Sequence, residues 1–224
     1  MSTESKSTKI EISIKQSGGK LLVVEGNDEK FFFDAALRDH LGLSDIQVMP
    51  IGGKQQLTAA LELLVKDDLF PTVASLAVVR DADSPHGEVR VPGSAISEAS
   101  KAFISVCGSL RHSGLPSPPS HGQFAEGPPR VGDFIVQNGI EEGMLETLCL
   151  ESVSTLAEFP CLDAYFLCLQ SHQVVPNNMH KARAHAWLAS RPKPDKRVGE
   201  AAQAGYWPWD SDAFDDLWAF LRSM

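Results

Sequence analysis

Three acids in this chain stand where apolar runs end. Glu25 follows Leu21-Leu22-Val23-Val24, and Asp81 and Asp83 close the stretch Val-Ala-Ser-Leu-Ala-Val-Val-Arg-Asp-Ala-Asp at 73–83. An apolar run bounded by turn residues reads as a strand buried on both faces. Side chains alternate along a strand, so Asp81 and Asp83 point one way and Arg80 and Ala82 the other. Two like charges on one side of a strand end repel each other. A bound cation, a buried base or a raised pKa relieves them. Oxygen ligands with no His or Cys beside them favour Mg²⁺ or Mn²⁺ over zinc. Glu29 comes about one helical turn after Glu25 and can reach the same site or a second metal. Either motif alone also reads as a turn residue after a strand; the two in order define a candidate site.

The elements around these acids must bring them together. Ile10, Ile12 and Ile14 alternate in Lys9–Lys15 as in a half-exposed edge strand. Strand 20–25 follows, then a helix over 28–41 with Phe33, Leu37 and Leu41 on one stripe and Asp28 and Glu29 in its first turn. Ile46 to Met49 reads as a strand. Pro50-Ile51-Gly52-Gly53-Lys54 leads into a helix on which Leu57, Ala60, Leu61 and Leu64 share a face. Gly52-Gly53 either forms a plain turn or offers free N–H groups to a phosphate, without Walker spacing. Strand, helix, strand, helix, strand specifies right-handed crossovers and a mainly parallel sheet. Ligands bind outside the carboxyl ends of such strands, where Glu25, Asp81 and Asp83 fall.

Ser94 is a candidate cap for a helix to about Arg111, with Ile96, Ala99, Phe103, Val106 and Leu110 as its apolar face. Residues 113–133 hold five prolines and four glycines and read as a long surface loop. A strand at Phe134–Gln137 and a helix near 143–152 bearing Glu146 complete a core spanning 1–152. Residues 153–224 read as a helical extension packed on it. Leu162, Tyr165, Phe166 and Leu169 share a face, Asn178 caps a helix from Met179 to Leu188, and Asp212 caps a final helix over 213–223. Trp207 and Trp209 flank Pro208 and either cover a hydrophobic seam or stack a base.

With 224 residues and 43% hydrophobic content, the chain suits one globular domain. The polar, Lys-bearing start and the lack of an apolar run near ~18 residues predict an intracellular, cytoplasmic protein with no membrane span. Cys107, Cys149, Cys161 and Cys168 lack CxxC spacing and read as small core residues. Net charge is −9, against a generally basic surface. Yet Lys181, Arg183, Arg191, Lys193, Lys196 and Arg197 stand close together, with Asp195 the one acid among them. Such a strip is either a solvated face or a contact for phosphates.

Leu-Val-Val-Glu-Gly at 21–26 with Asp-Ala-Asp at 81–83 resembles the Toprim domain of topoisomerases, primases and several nucleases. With Glu29, the pattern is similar to Toprim nucleases of the overcoming-lysogenization-defect type. Val-Glu-Gly-Asn-Asp-Glu, Ile-Gly-Gly-Lys, Asp-Ala-Asp and Gly-Met-Leu-Glu at 143–146 together resemble small stand-alone bacterial Toprim-like proteins. The resemblance implies a Rossmann-like α/β Toprim core. It makes Glu25 a general acid/base or metal ligand, Asp81 and Asp83 metal ligands, and Glu29 a ligand for a second metal. Glu146 corresponds to a further acid and Lys181 to a cation near the scissile phosphate. The chain departs from the topoisomerases and primases in lacking a tyrosine module or zinc ribbon. It departs from the larger nucleases in lacking an ATPase domain, which leaves room for a separate ATPase partner.

Two functions compete: Mg²⁺-dependent cleavage of a phosphodiester in nucleic acid, and a non-catalytic module holding nucleic acid or nucleotide for such an ATPase. A phosphoryl-acceptor role for Asp81, as in receiver or dehalogenase-like domains, fits the order of motifs less well.

Overall fold

The computed structural model describes residues 12–82, 96–136 and 143–224. Five strands form one sheet in the order β2-β1-β3-β5-β4. β1 (Lys20–Val24) lies parallel between β2 (Ile46–Pro50) and β3 (Ser75–Asp81). β3 pairs in parallel with β5 (Arg130–Val136), and the short β4 (Phe124–Ala125) closes the edge antiparallel. The chain is therefore α/β with a mostly parallel sheet, consistent with a Rossmann-like fold. It moves outward from β1 to β2 and then returns to β3 on the other side of β1. That reversal opens a crevice between the carboxyl ends of β1 and β3.

Alternation within the strands builds two cores. Leu22, Val24, Ala77, Val79 and Phe134 face α1 (Asn27–Ala36) and the helices of the last third of the chain. Leu21, Val23, Leu76, Val78 and Ile135 face α2 (Leu57–Leu64) and α3 (Glu98–His112). The first core is filled by α4 (Leu145–Ser152), α5 (Phe159–Ser171), α6 (Met179–Ala189), α7 (Val198–Gln203) and α8 (Asp215–Arg222). Residues 153–224 thus supply most of one layer of the fold. Phe32 on α1 meets the rings of Phe33, Trp209, Phe214 and Trp218. Trp207 is buried and stacks on Trp187 at 4.8 Å between centroids, so it covers a seam.

Several local expectations change. Residues 12–15 form no strand, because Ile14 N–H donates to Asp67 Oδ2 (3.0 Å) and Lys15 N–H to Gln47 Oε1 (2.8 Å). Residues 9–11 lie outside the described residues. The cap of α3 is Ser97, whose Oγ accepts from Ser100 N–H at 3.1 Å; Ser94 lies outside the described residues, and Ile96 precedes the helix, 47% exposed. The stretch 113–133 is not all loop, since it contains β4 and the first half of β5. Gly132 reads as a breaker, yet packing requires it, since a Cβ there would stand 2.7 Å from the ring of Phe124, which lies over β5. Ser211, rather than Asp212, precedes the first turn of the last helical segment. Cys107 and Cys149 are buried as expected, whereas Cys161 and Cys168 are exposed on α5. Among the described residues, no helix is long and apolar enough to cross a membrane.

Candidate functional site

Parallel pairing brings the strand ends together. Val23 stands opposite Val78, so Glu25, just past β1, emerges beside Arg80 and Asp81 at the end of β3. The two acids leave by different faces. Arg80 shares its side of β3 with Val78, and its Nη1 donates to Ser105 Oγ on α3 at 2.9 Å. Glu25 joins it there, with Oε1 3.9 Å from Arg80 Nε. Asp81 shares the side of Val79 and turns toward α4, where its Oδ1 accepts the Leu145 N–H at 3.1 Å. That N–H belongs to the first turn of a helix, where the backbone lacks internal acceptors and favours a carboxylate. Asp83 lies outside the described residues.

The motif at 143–146 is tied directly to Asp-Ala-Asp. Ala82 and Gly143 form an isolated antiparallel bridge, with Ala82 N–H to Gly143 O at 2.8 Å and Gly143 N–H to Ala82 O at 3.3 Å. Glu146 therefore enters the first turn of α4 close to Asp81. Burial pushes its carboxyl above the ordinary range, Lys181 draws it back, and Glu29 and Asp28 push it up further. Lys181 Nζ stands 3.9 Å from Glu146 Oε1. Beneath them Cys149 is fully buried; burial pushes its thiol well up, and Glu146, Asp28 and Asp81 add to that. The Asp81–Leu145 bond and the Ala82–Gly143 bridge thus bring the end of β3 and the start of α4 to one edge.

Glu29 folds back over its own helix start, its Oε2 only 3.0 Å from where a Cβ on Gly26 would stand. The open space at Gly26 is thus taken by a carboxylate. Asp28 is turned to α7: its Oδ1 accepts the Gly199 N–H at 2.8 Å. Burial raises the Asp28 carboxyl, partly offset by that bond and by Arg197. The Gly52-Gly53 turn packs on β1, with Ile51 N–H on Val24 O (3.0 Å) and Gly53 N–H on Glu25 O (2.7 Å). The Gly53 donor is therefore already engaged.

Among the described residues, no group of three or more His, Cys, Asp or Glu is arranged to hold a metal ion. The donors at the edge are carboxylate oxygens, which suits magnesium, an ion commonly held by one or two carboxylates with waters and substrate phosphate completing the shell. Asp81, Glu29 and Glu146 carry oxygen donors of that kind.

The basic residues do not form one free face. Arg183 pairs with Asp163 and lies over Phe159 and Phe166, each at 5.7 Å. Arg191 binds Glu158 at 3.0 Å and covers Trp187 at 4.2 Å. Lys193 and Arg197 are exposed and Lys196 half-buried, in the turn leading to α7. Sequence reasoning missed two partners of the site. Arg80 was visible as a lone cation at the end of an apolar strand, whereas nothing in the sequence marked the Leu145 N–H.

A family model described as "Protein of unknown function (DUF3226)" matches residues 19–224. No curated protein and no solved structure matches the chain.

Proposed function

The chain belongs to the DUF3226 family, and we propose that it is a Toprim-type, metal-dependent phosphodiester-cleaving protein acting on nucleic acid. One observation carries this reading. Glu25 and Asp81 end adjacent parallel strands where the strand order reverses, and the Ala82–Gly143 bridge holds Glu146 against the same edge. Ligand sites of open α/β sheets lie at such reversals. In this reading Asp81 holds Mg²⁺ or Mn²⁺ with Asp83 and with Glu29 or Glu146. The ion supplies Lewis-acid polarisation of the phosphate and stabilises the leaving oxygen. Glu25, facing Arg80, accepts a proton as general base. Lys181 offsets the charge of Glu146 and presents an ammonium to the approaching phosphate.

A second reading has its own support. Arg80 beside Glu25 and Lys181 beside Glu146 already give two acids a cationic partner. A module that holds nucleic acid or nucleotide without cleaving it, for a partner ATPase, needs that balance. Turnover separates the two. The full chain is incubated with single- and double-stranded DNA and RNA, with and without Mg²⁺ or Mn²⁺. Metal-dependent cleavage that disappears in Asp81→Asn supports the enzyme; retention of nucleic acid without cleavage of any substrate supports the module.

A further inference from the structure

Asp133 on β5 is completely buried, and among the described residues neither of its carboxyl oxygens has a hydrogen-bond partner. A buried carboxylate without a donor is costly, which favours the protonated group until a donor reaches it. The charged group that acts on Asp133 is His121, whose Nδ1 stands 3.9 Å from Asp133 Oδ2, too far for a bond. That nitrogen is engaged elsewhere. It accepts the Ile135 N–H at 3.0 Å, so Nδ1 is bare and the proton of the neutral ring sits on Nε2.

A second proton on the ring turns Nδ1 from an acceptor into a donor. It then meets the Ile135 N–H donor to donor, which breaks that bond, while the carboxyl of Asp133 stands beside it as an acceptor lacking a partner. We infer that His121 is a proton-driven latch on β5: the neutral ring holds the Ile135 N–H, and the protonated ring releases it and donates to Asp133. The side chain of His121 is 31% exposed, so solvent supplies the proton. Its ring lies against Phe134 and lines a cleft of about 430 Å³ with Leu148 of α4 and with Asp216 and Phe220 of α8. Asp216, which shares the cleft, favours the imidazolium as Asp133 does. Arg130, the cation of β5, is turned instead to Glu126, the Ser223 carbonyl and the ring of Phe124. Beyond β4, the edge of β5 is held by Gly122 N–H on Asp133 O at 3.0 Å and by His121 on Ile135. Ile135 stands opposite Arg80 and Val136 opposite Asp81, so the latch acts on the strand that backs the acidic edge.

This inference does not depend on the chemistry at that edge. The test is ¹⁵N NMR of the full chain between about pH 8 and pH 5, the range in which a histidine changes charge. At the upper end the His121 ring is expected as the Nε2–H tautomer. On acidification Nδ1 gains its proton, and the Ile135 amide shifts with the same midpoint and loses about tenfold or more of its protection from hydrogen exchange. In His121→Asn, whose Oδ1 takes the place of Nδ1 without titrating, the Ile135 amide should stay protected throughout. Asp133→Asn removes the charge that favours the imidazolium and should lower the midpoint by about one pH unit. The first reading uses the unaltered chain, so misfolding of a variant leaves the test intact. A proton on Nδ1 at the upper pH, an Ile135 amide that does not move with the ring, a pH-dependent amide in a folded His121→Asn, or an unchanged midpoint in a folded Asp133→Asn overturns the proposal.

Discussion

Asp81 Oδ1 accepts the Leu145 N–H at 3.1 Å, so the first acid of Asp-Ala-Asp is also the anchor of the helix that carries Glu146. This changes the expected cost of neutralising it. From sequence, removing one of two neighbouring acids relieves repulsion and raises the melting point of the metal-free protein. With a helix N-terminus as its partner, the Asp81 carboxylate is already stabilised by about 0.3–1 kcal/mol. Relief and loss then oppose each other in Asp81→Asn, which keeps an oxygen acceptor at the same place.

Gly199→Ala should destabilise the protein by about 1–3 kcal/mol or more. A Cβ at Gly199 would stand 2.1 Å from Asp28 O and 2.8 Å from Phe31 Cβ, so α7 could not keep its seat on α1. Urea unfolding of the variant reads this directly. A midpoint equal to that of the unaltered chain would mean that α7 does not sit this closely on α1.

Asp133 should make stability fall as pH rises. It is fully buried on β5, and burial pushes its carboxyl above the usual range, with His121 drawing it partly back. His121 Nδ1 stands 3.9 Å from Asp133 Oδ2 and already accepts the Ile135 N–H at 3.0 Å. Because the folded pKa is raised, the folded state keeps a proton that the unfolded chain has lost. Stability from this group therefore declines from the ordinary aspartate range up to the raised folded value and is level above it. Urea midpoints measured from about pH 4 to pH 8 should decline less in Asp133→Asn. Equal slopes in the two proteins would contradict the assignment.

Charge reversal at Lys193 and Lys196 should weaken nucleic-acid binding and lower its salt slope, by roughly one unit for each phosphate no longer neutralised. Reversal at Arg191 should in addition lower stability, since it breaks the pair with Glu158 and uncovers Trp187. Affinity that does not change with salt would leave this strip a solvated surface.

The order of strands and helices was legible because apolar runs and helical spacing both depend on local sequence. The position of Glu25 and Asp81 at one edge followed from that order. Hidden in the sequence were the interactions made across long separations. Gly132 looks like a loop residue because Phe124, which needs the space, sits in another strand. Gly199 and Asp28 are far apart in sequence, and the short α7 has too few turns to show a periodicity. Arg183 and Arg191 read as phosphate ligands only while Asp163 and Glu158 are not known to lie beside them. Alternation alone turns Arg80 away from Asp81, but only the register of β1 on β3 puts Glu25 on its side.

Glu25 and Asp81 leave the sheet by different faces, the proposed function gives them different roles, and calorimetric titration of Mn²⁺ into the full chain, Asp81→Asn and Glu25→Gln tests those roles most directly. Saturable binding is expected in the unaltered chain, at least tenfold weaker in Asp81→Asn, a loss of about 1.4 kcal/mol. Glu25→Gln should bind Mn²⁺ nearly as well as the unaltered chain while failing to cleave, as a missing base rather than a missing ligand. No Mn²⁺ binding by the unaltered chain would contradict the acidic edge as a metal site and the enzyme with it.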